Sequence, residues 1–210
     1  FVFFGSATRH LSGKNAYRTF SLYKKFFLKK IRYIFFVIFI LFCGCSTKNN
    51  TWLSRNYHAM TTRYNVAFNS GESYKEGLDV IYNENEDDFT KLILLFPISN
   101  KASQSLATSQ MERAIEKAMK AERLHSIRKK PKKDAKKMKD PKFLLFMQKE
   151  EYNREMGRVW LLHGKAQFHN ADFLGAVGTF SYVIKHFSKE KKRVEEAKIW
   201  LARAYMEMDW

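Results

Sequence analysis

Cysteine is nearly absent from these 210 residues: Cys43 and Cys45, one position apart, are the only two. Thiols so close together can assemble neither a disulfide framework nor a four-ligand zinc site. Proline is as scarce, with three residues. Pro97 and Pro131 are the only ones between Thr51 and Pro141, so the stretches they separate are long and helix-like, and nothing forms a series of strands. Acidic side chains are missing from residues 1–45, which carry eight basic ones, and residues 120–142 hold eleven basic against three acidic. Those two stretches supply nearly all of the net charge of +17. The rest of the chain is almost neutral, which excludes a uniformly basic coat for nucleic acid and makes each basic stretch a local feature.

Signatures of catalysis are missing too. Gly157 and Gly164-Lys165 are spaced wrongly for a phosphate loop, and Ala166 stands where Ser or Thr would hold magnesium. The six histidines show no His-x₃-His pair, and His163 and His169 fall on different faces of one helix, as structural histidines do. Glu84-Asn-Glu-Asp-Asp88 lacks the alternating ligands and central glycine of a calcium loop and suits a solvated helix end. No Gly-x-Ser-x-Gly elbow occurs. The chain is therefore expected to be no enzyme and to hold no metal or cofactor.

What is present begins with an address. Lys24, Lys25, Lys29, Lys30 and Arg32 precede ten apolar residues, Tyr33 to Phe42. A basic head and a short apolar core have the anatomy of an export signal, and ten residues fall well short of the ~20 needed to span a bilayer. An uncleaved membrane anchor is the other reading of the same residues. Residues 1–21 carry no organised pattern and are expected to lie upstream of the gene product's start, with Leu22 as a rare start codon and 22–44 as the signal. No methionine precedes Met60 and the chain ends at Trp210 inside a helical pattern, so the sequence is read as a fragment cut short at its C-terminus.

The body, from Thr51 onward, predicts an all-α fold. Phe173, Ala176, Val177, Phe180, Val183, Ile184 and Phe187 form one apolar stripe at helical spacing. Trp160, Gly164 and Phe168 step by four along a preceding helix, and His169 to Asp172 supply the turn and the cap between the two. A third helix follows, with Val194, Ala197, Leu201, Ala204, Tyr205 and Met208 on one face. Asp209-Trp210 echoes Asp172-Phe173 after 37 residues. Upstream, residues 109–127 predict a helix with Ser109 as its cap and Ile115, Ala118, Met119 and Glu122 along one side. Residues 128–142 are rich in lysine and nearly devoid of apolar side chains, which predicts a solvated basic loop. Such a loop suits anionic lipid headgroups, lipopolysaccharide or an acidic partner; without interleaved aromatics or a reader fold it does not suit nucleic acid.

Trp160, Gly164, Phe173, Ala176 and Phe180 stand at the spacing of the tetratricopeptide repeat, a unit of about 34 residues; His163, Gln167 and Ser188 depart from it. Phe68, Tyr74, Gly77 and Ile81 suggest a weaker copy, with a hairpin over about residues 52–84 and Asn65 in place of a glycine. A plain helical bundle is the other reading of these stripes, and the repeat spacing favours a solenoid, with 45–127 as an N-terminal helical region and 143–210 as repeats. Leu41-Phe42-Cys43-Gly44-Cys45 resembles the lipobox of bacterial lipoproteins, in which Cys45 would be acylated and become the first mature residue. The order of segments, from Cys45-Ser-Thr-Lys-Asn-Asn through Tyr57 to Asn69, Leu95-Phe-Pro97, Ala114 to Ala118, Leu124 to Ile127, Gly164 to Phe168 and Phe180-Ser-Tyr182, resembles the start of the PorW/SprE family over residues 24–210. These are outer-membrane tetratricopeptide lipoproteins of Bacteroidetes. The resemblance implies a lipid-anchored, periplasm-facing scaffold that binds secretion-machinery components in type IX secretion and gliding motility, with no catalysis of its own. A helical envelope lipoprotein that binds peptide or glycan is the alternative.

Overall fold

The computed structural model describes residues 29–32 and 46–208. The chain divides into two compact units, residues 1–44 and 45–210. Of the first, only the helical residues 29–32 are described; the rest of the expected signal segment 22–44, the lipidation residue Cys45 and the echo at Asp209-Trp210 lie outside the described residues. Every regular element of the second unit is helical, and no strand occurs among the described residues.

Helix α1 spans Trp52–Thr61 and starts where the Thr51 hydroxyl accepts the Ser54 amide at 3.1 Å. It does not end in a turn. The chain passes through one wider π-helical turn, Thr62–Val66, straight into α2, Ala67–Glu84. Thr62 Oγ1 donates to the His58 carbonyl at 2.7 Å inside this widened turn. The hairpin expected within residues 52–84 is thus a single rod. Thr62, Val66 and Ala67 all keep right-handed helical backbone at the junctions, and no glycine or proline is there to break it.

The rod's true partner is α3, Thr108–His125, reached through residues 85–107 and two short 3₁₀ turns at Pro97–Ser99 and Ser103–Ser105. The two run antiparallel: His58 meets His125, Ser70 donates to the Ala114 carbonyl at 2.8 Å, and Gly77 lies against Met111. Ser109 does not cap α3. Ala107 precedes the helix without a side-chain cap, and Ser109 donates to Gln110 instead. The buried face is Met111, Ala114, Ala118 and Ala121, while Met119 is 54% exposed. Relative to the predicted face, the helix is turned towards its small residues.

The basic segment runs exposed from Arg128 through a 3₁₀ turn at Lys137–Lys139 into the short helix α4, Pro141–Met147, which Asp140 caps at the Lys142 amide. Then come α5, Met156–His169; α6, Phe173–His186; and α7, Lys191–Met208. Asp172 caps α6 by accepting the Gly175 amide at 2.9 Å. Helix α5 packs between α3 and α6, and α6 packs on α7. The stripe on α6 faces this core: Ala176, Phe180, Val183 and Phe187 are buried, with Phe173, Val177 and Ile184 packed at its edge.

Two backbone positions govern the α5–α6 hairpin. Gly164 lets the helices close: a Cβ there would fall 2.6 Å from the Phe180 ring. Ala171, in the turn, has φ of 58°, a region costly for any residue with a Cβ. Gly164→Ala is expected to lower stability by about 1–3 kcal/mol. Gly178→Ala, on the same hairpin with open space around it, should raise it by up to about 1 kcal/mol, and Ala171→Gly should raise it by a similar amount. Urea unfolding of the three variants checks the order.

Candidate functional site

The residues that match the repeat signature come together at the α5–α6 contact. Phe180 is fully buried, with Gly164 under its ring and Ala176 beside it on the same face of α6. Phe173 packs edge-on against Phe168 at 5.4 Å between ring centroids, and Phe168 packs edge-on against Trp200 of α7 at 5.3 Å. Trp160 lies over Tyr182 at 4.2 Å and stacks on His163 at 6.0 Å. These side chains hold helices together.

A second set of residues, invisible in the sequence, joins the rod and α3 to α5. Asn153, just before α5, is 1% exposed; its side-chain amide donates to Thr62 Oγ1 at 2.9 Å and to the His125 carbonyl at 3.0 Å. Beside it the Glu151 carboxylate accepts the backbone amides of Ile127, Tyr152 and Asn153 and the Ser126 hydroxyl. His58 and His125 share a proton-mediated contact between their Nδ1 atoms at 2.9 Å. Burial, and next the charge of His58, push the His125 imidazole below its ordinary pKa. His163 Nδ1 meets Glu122 at 2.9 Å across the α3–α5 contact. All of these groups answer one another within the core.

Further along α5, His169 is buried against Tyr74, Phe168 and Trp200, and its Nδ1 lies 2.9 Å from the Lys165 carbonyl. Desolvation drives its pKa down to about 4 and pushes the Tyr74 phenol up. Arg203 lies over three rings, Phe96 at 3.9 Å, Trp200 at 4.6 Å and Phe168 at 5.0 Å. No group of three side chains able to hold a metal ion occurs among the described residues. No helix among the described residues is long and apolar enough to cross a membrane.

Apolar surface is what the fold leaves open. Phe89, Leu92 and Leu95, each more than 80% exposed, project from the segment between α2 and α3. Residues 92–96 form with Ser99, Met206 and Glu207 a cleft of about 290 Å³, and Ser99 donates to Glu207 at 2.7 Å to fasten the segment to α7. Patches of this kind mark surfaces that other molecules cover. Neither a protein-family model nor a curated protein matches the chain.

The buried His169 makes stability depend on pH. The folded imidazole protonates near 4 and the unfolded one near 6.5, so its contribution is complete above the higher value and is lost as pH falls through this window. His125 acts in the same sense. The urea midpoint should therefore fall less steeply between pH 6.5 and 4 in His169→Gln than in the parent chain; equal slopes would contradict the assignment.

Proposed function

We propose that this chain is a scaffold of stacked helical hairpins that binds other proteins, of tetratricopeptide type and tethered to the outer membrane through acyl chains on Cys45. The observation that carries the scaffold reading is the packing order. The rod pairs with α3, α3 packs on α5, α5 on α6 and α6 on α7, so that each long helix rests chiefly on the long helices before and after it, the short α4 standing outside this order. Stacks of this design bury a continuous core and offer their outer surfaces to partners. The cleft formed by Leu92 to Phe96 with Met206 is the surface best suited to an apolar partner segment.

The anchor rests on the basic head, the apolar run and the Gly44-Cys45 junction of the sequence. Two or more acyl chains hold a protein stably at a membrane where one does not. The resemblance to the PorW/SprE family supports a role in type IX secretion and gliding motility, with the body in the periplasm and secretion-machinery proteins as partners. It rests on the ordered segments of the sequence.

Mass spectrometry of the mature N-terminus should find acylated Cys45, and Cys45→Ala should make the protein extractable from the membrane fraction by high salt, which screens any attraction between lysines and headgroups. A mature chain that retains Lys30 would exclude the anchor. Crosslinking in the envelope should recover secretion components, with recovery reduced by Leu92→Ser and Leu95→Ser together.

A further inference from the structure

The outer face of the rod is apolar along its first half. Trp52, Leu53, Tyr57, Met60, Tyr64 and Phe68 are 72, 49, 40, 57, 68 and 57% exposed. From Leu53 they recur at steps of four, three, four and four residues, a stripe set opposite the buried Ser54, His58 and Thr62. Amphipathic helices normally turn such a stripe inward. Here the inward face is supplied by small and polar residues that α3 covers, and the bulky side chains point to solvent.

Charge adds a second, independent observation. No acidic residue occurs from residue 46 to Gly71, and the basic segment lies directly beside the start of the rod. Asn50 Nδ2 donates to the Lys129 carbonyl at 2.6 Å. Between the segment and the rod is an open cleft of about 880 Å³, with lysines of 129–137 along its rim and Trp52, Phe143 and Phe146 contributing apolar walls. Arg55 lies over the Phe146 ring at 5.0 Å at this site. The segment has seven lysines between positions 129 and 139, and only Lys137 makes an ion pair with a carboxylate, Asp134, among the described residues.

We infer that the outer face of residues 52–68 and the lysine segment 129–139 together form a docking surface for a bilayer with anionic headgroups. Apolar and aromatic side chains on one helix face, Tyr and Trp prominent among them, are suited to the headgroup and acyl boundary, where the polar edge of each ring stays wet. Lysines alongside suit phosphate-bearing headgroups. A soluble partner helix would cover the stripe but would leave this cationic rim unanswered; an anionic bilayer satisfies both. The surface needs no acyl chain on Cys45 and is separate from the cleft at Leu92.

The test uses the full chain with Cys43→Ser and Cys45→Ser, which cannot be acylated, so the fate of the lipoprotein reading does not affect it. Nitroxide labels are placed singly at Met60→Cys, Tyr64→Cys and, on α7, Glu195→Cys, all solvent-exposed positions. With vesicles of phosphatidylcholine and phosphatidylglycerol, the labels at 60 and 64 should gain collisions with oxygen and lose them with a water-soluble nickel chelate, while the label at 195 stays unchanged. Replacing the lysines at 129, 130, 132, 133, 136 and 137 by Gln should raise the vesicle concentration needed for half-maximal oxygen exposure at position 60 about tenfold or more. Labels at 60 and 64 that remain as accessible to nickel as the one at 195, on vesicles that carry the protein, would overturn the inference. So would spin–spin broadening between copies without lipid, which would assign the stripe to a second copy of this chain, or equal insertion into purely zwitterionic vesicles.

Discussion

Everything in the second unit depends on how closely two neighbours can approach α3. Its buried face is built from Ala114, Ala118 and Ala121 with Met111 at one end, so the rod and α5 can both lie against a helix that has little side-chain bulk to hold them off. Ser70 shows how close the rod comes: its hydroxyl reaches a carbonyl of α3 in mid-helix. At that separation there is no room for water between backbones, and polar groups at the contact must find partners in one another. Ser73 accordingly accepts from Lys117, Thr62 from Asn153, and Glu122 meets His163.

The same constraint fixes register. A face of alanines slides easily, because alanine offers no knob to lock into a particular hole. The polar contacts are what make one register better than the next. Asn153 joins the π-helical turn of the rod and the C-terminal end of α3 through a single side chain, and Glu151 ties Ser126 and Ile127 to the approach of α5. Shifting α3 by one turn, about 5.4 Å, would break the bonds to His125, Ser126 and Ile127 together and leave the part-buried His125 carbonyl without its Asn153 donor, a cost of about 1–3 kcal/mol.

The α5–α6 hairpin could be read in the sequence because its signals are local: a stripe of large residues at helical period, Gly164 four residues from Trp160 and Phe168, and Asp172 at the cap. Within it Gly164 lies under the Phe180 ring, Trp160 lies over Tyr182 and Phe173 packs on Phe168. The rod could not be read, because the aromatic and small positions that suggested a hairpin occur equally on any long helix, and a π-helical turn leaves no mark in the spacing. Helix α3 was found, and of its expected face Ala118 is buried, Ile115 packs at the edge of the core and Glu122 meets His163, but Met119 is exposed and Met111, Ala114 and Ala121 complete the buried side. Ile115 and Met119 outweigh alanine on any hydropathy pattern, yet the deciding fact was how near the neighbours come. The polar junction was hidden for another reason: Thr62, His125 and Asn153 are brought together across 91 residues of chain, and no single-sequence pattern spans that distance.

The two exposed apolar regions differ in what accompanies them, and the difference argues for different occupants. Around Met206, helix α7 alternates charge: Glu195, Glu196, Lys198, Arg203 and Glu207 are interspersed along it, Glu196 pairs with Lys165 and Glu207 with Ser99. A surface with both signs arranged at fixed positions can discriminate one protein partner from another, since a misplaced charge on the partner is penalised. The rod from Trp52 to Phe68 has Arg55, Arg63 and the lysine segment but no acid until Glu72. A field of one sign cannot select among shapes; it attracts any extended negative surface and weakens with salt. Selectivity at one face and indifference to detail at the other are what a protein needs if it is to recognise partners while lying against a membrane, and under the proposed reading the charge order along the chain would keep those two tasks apart.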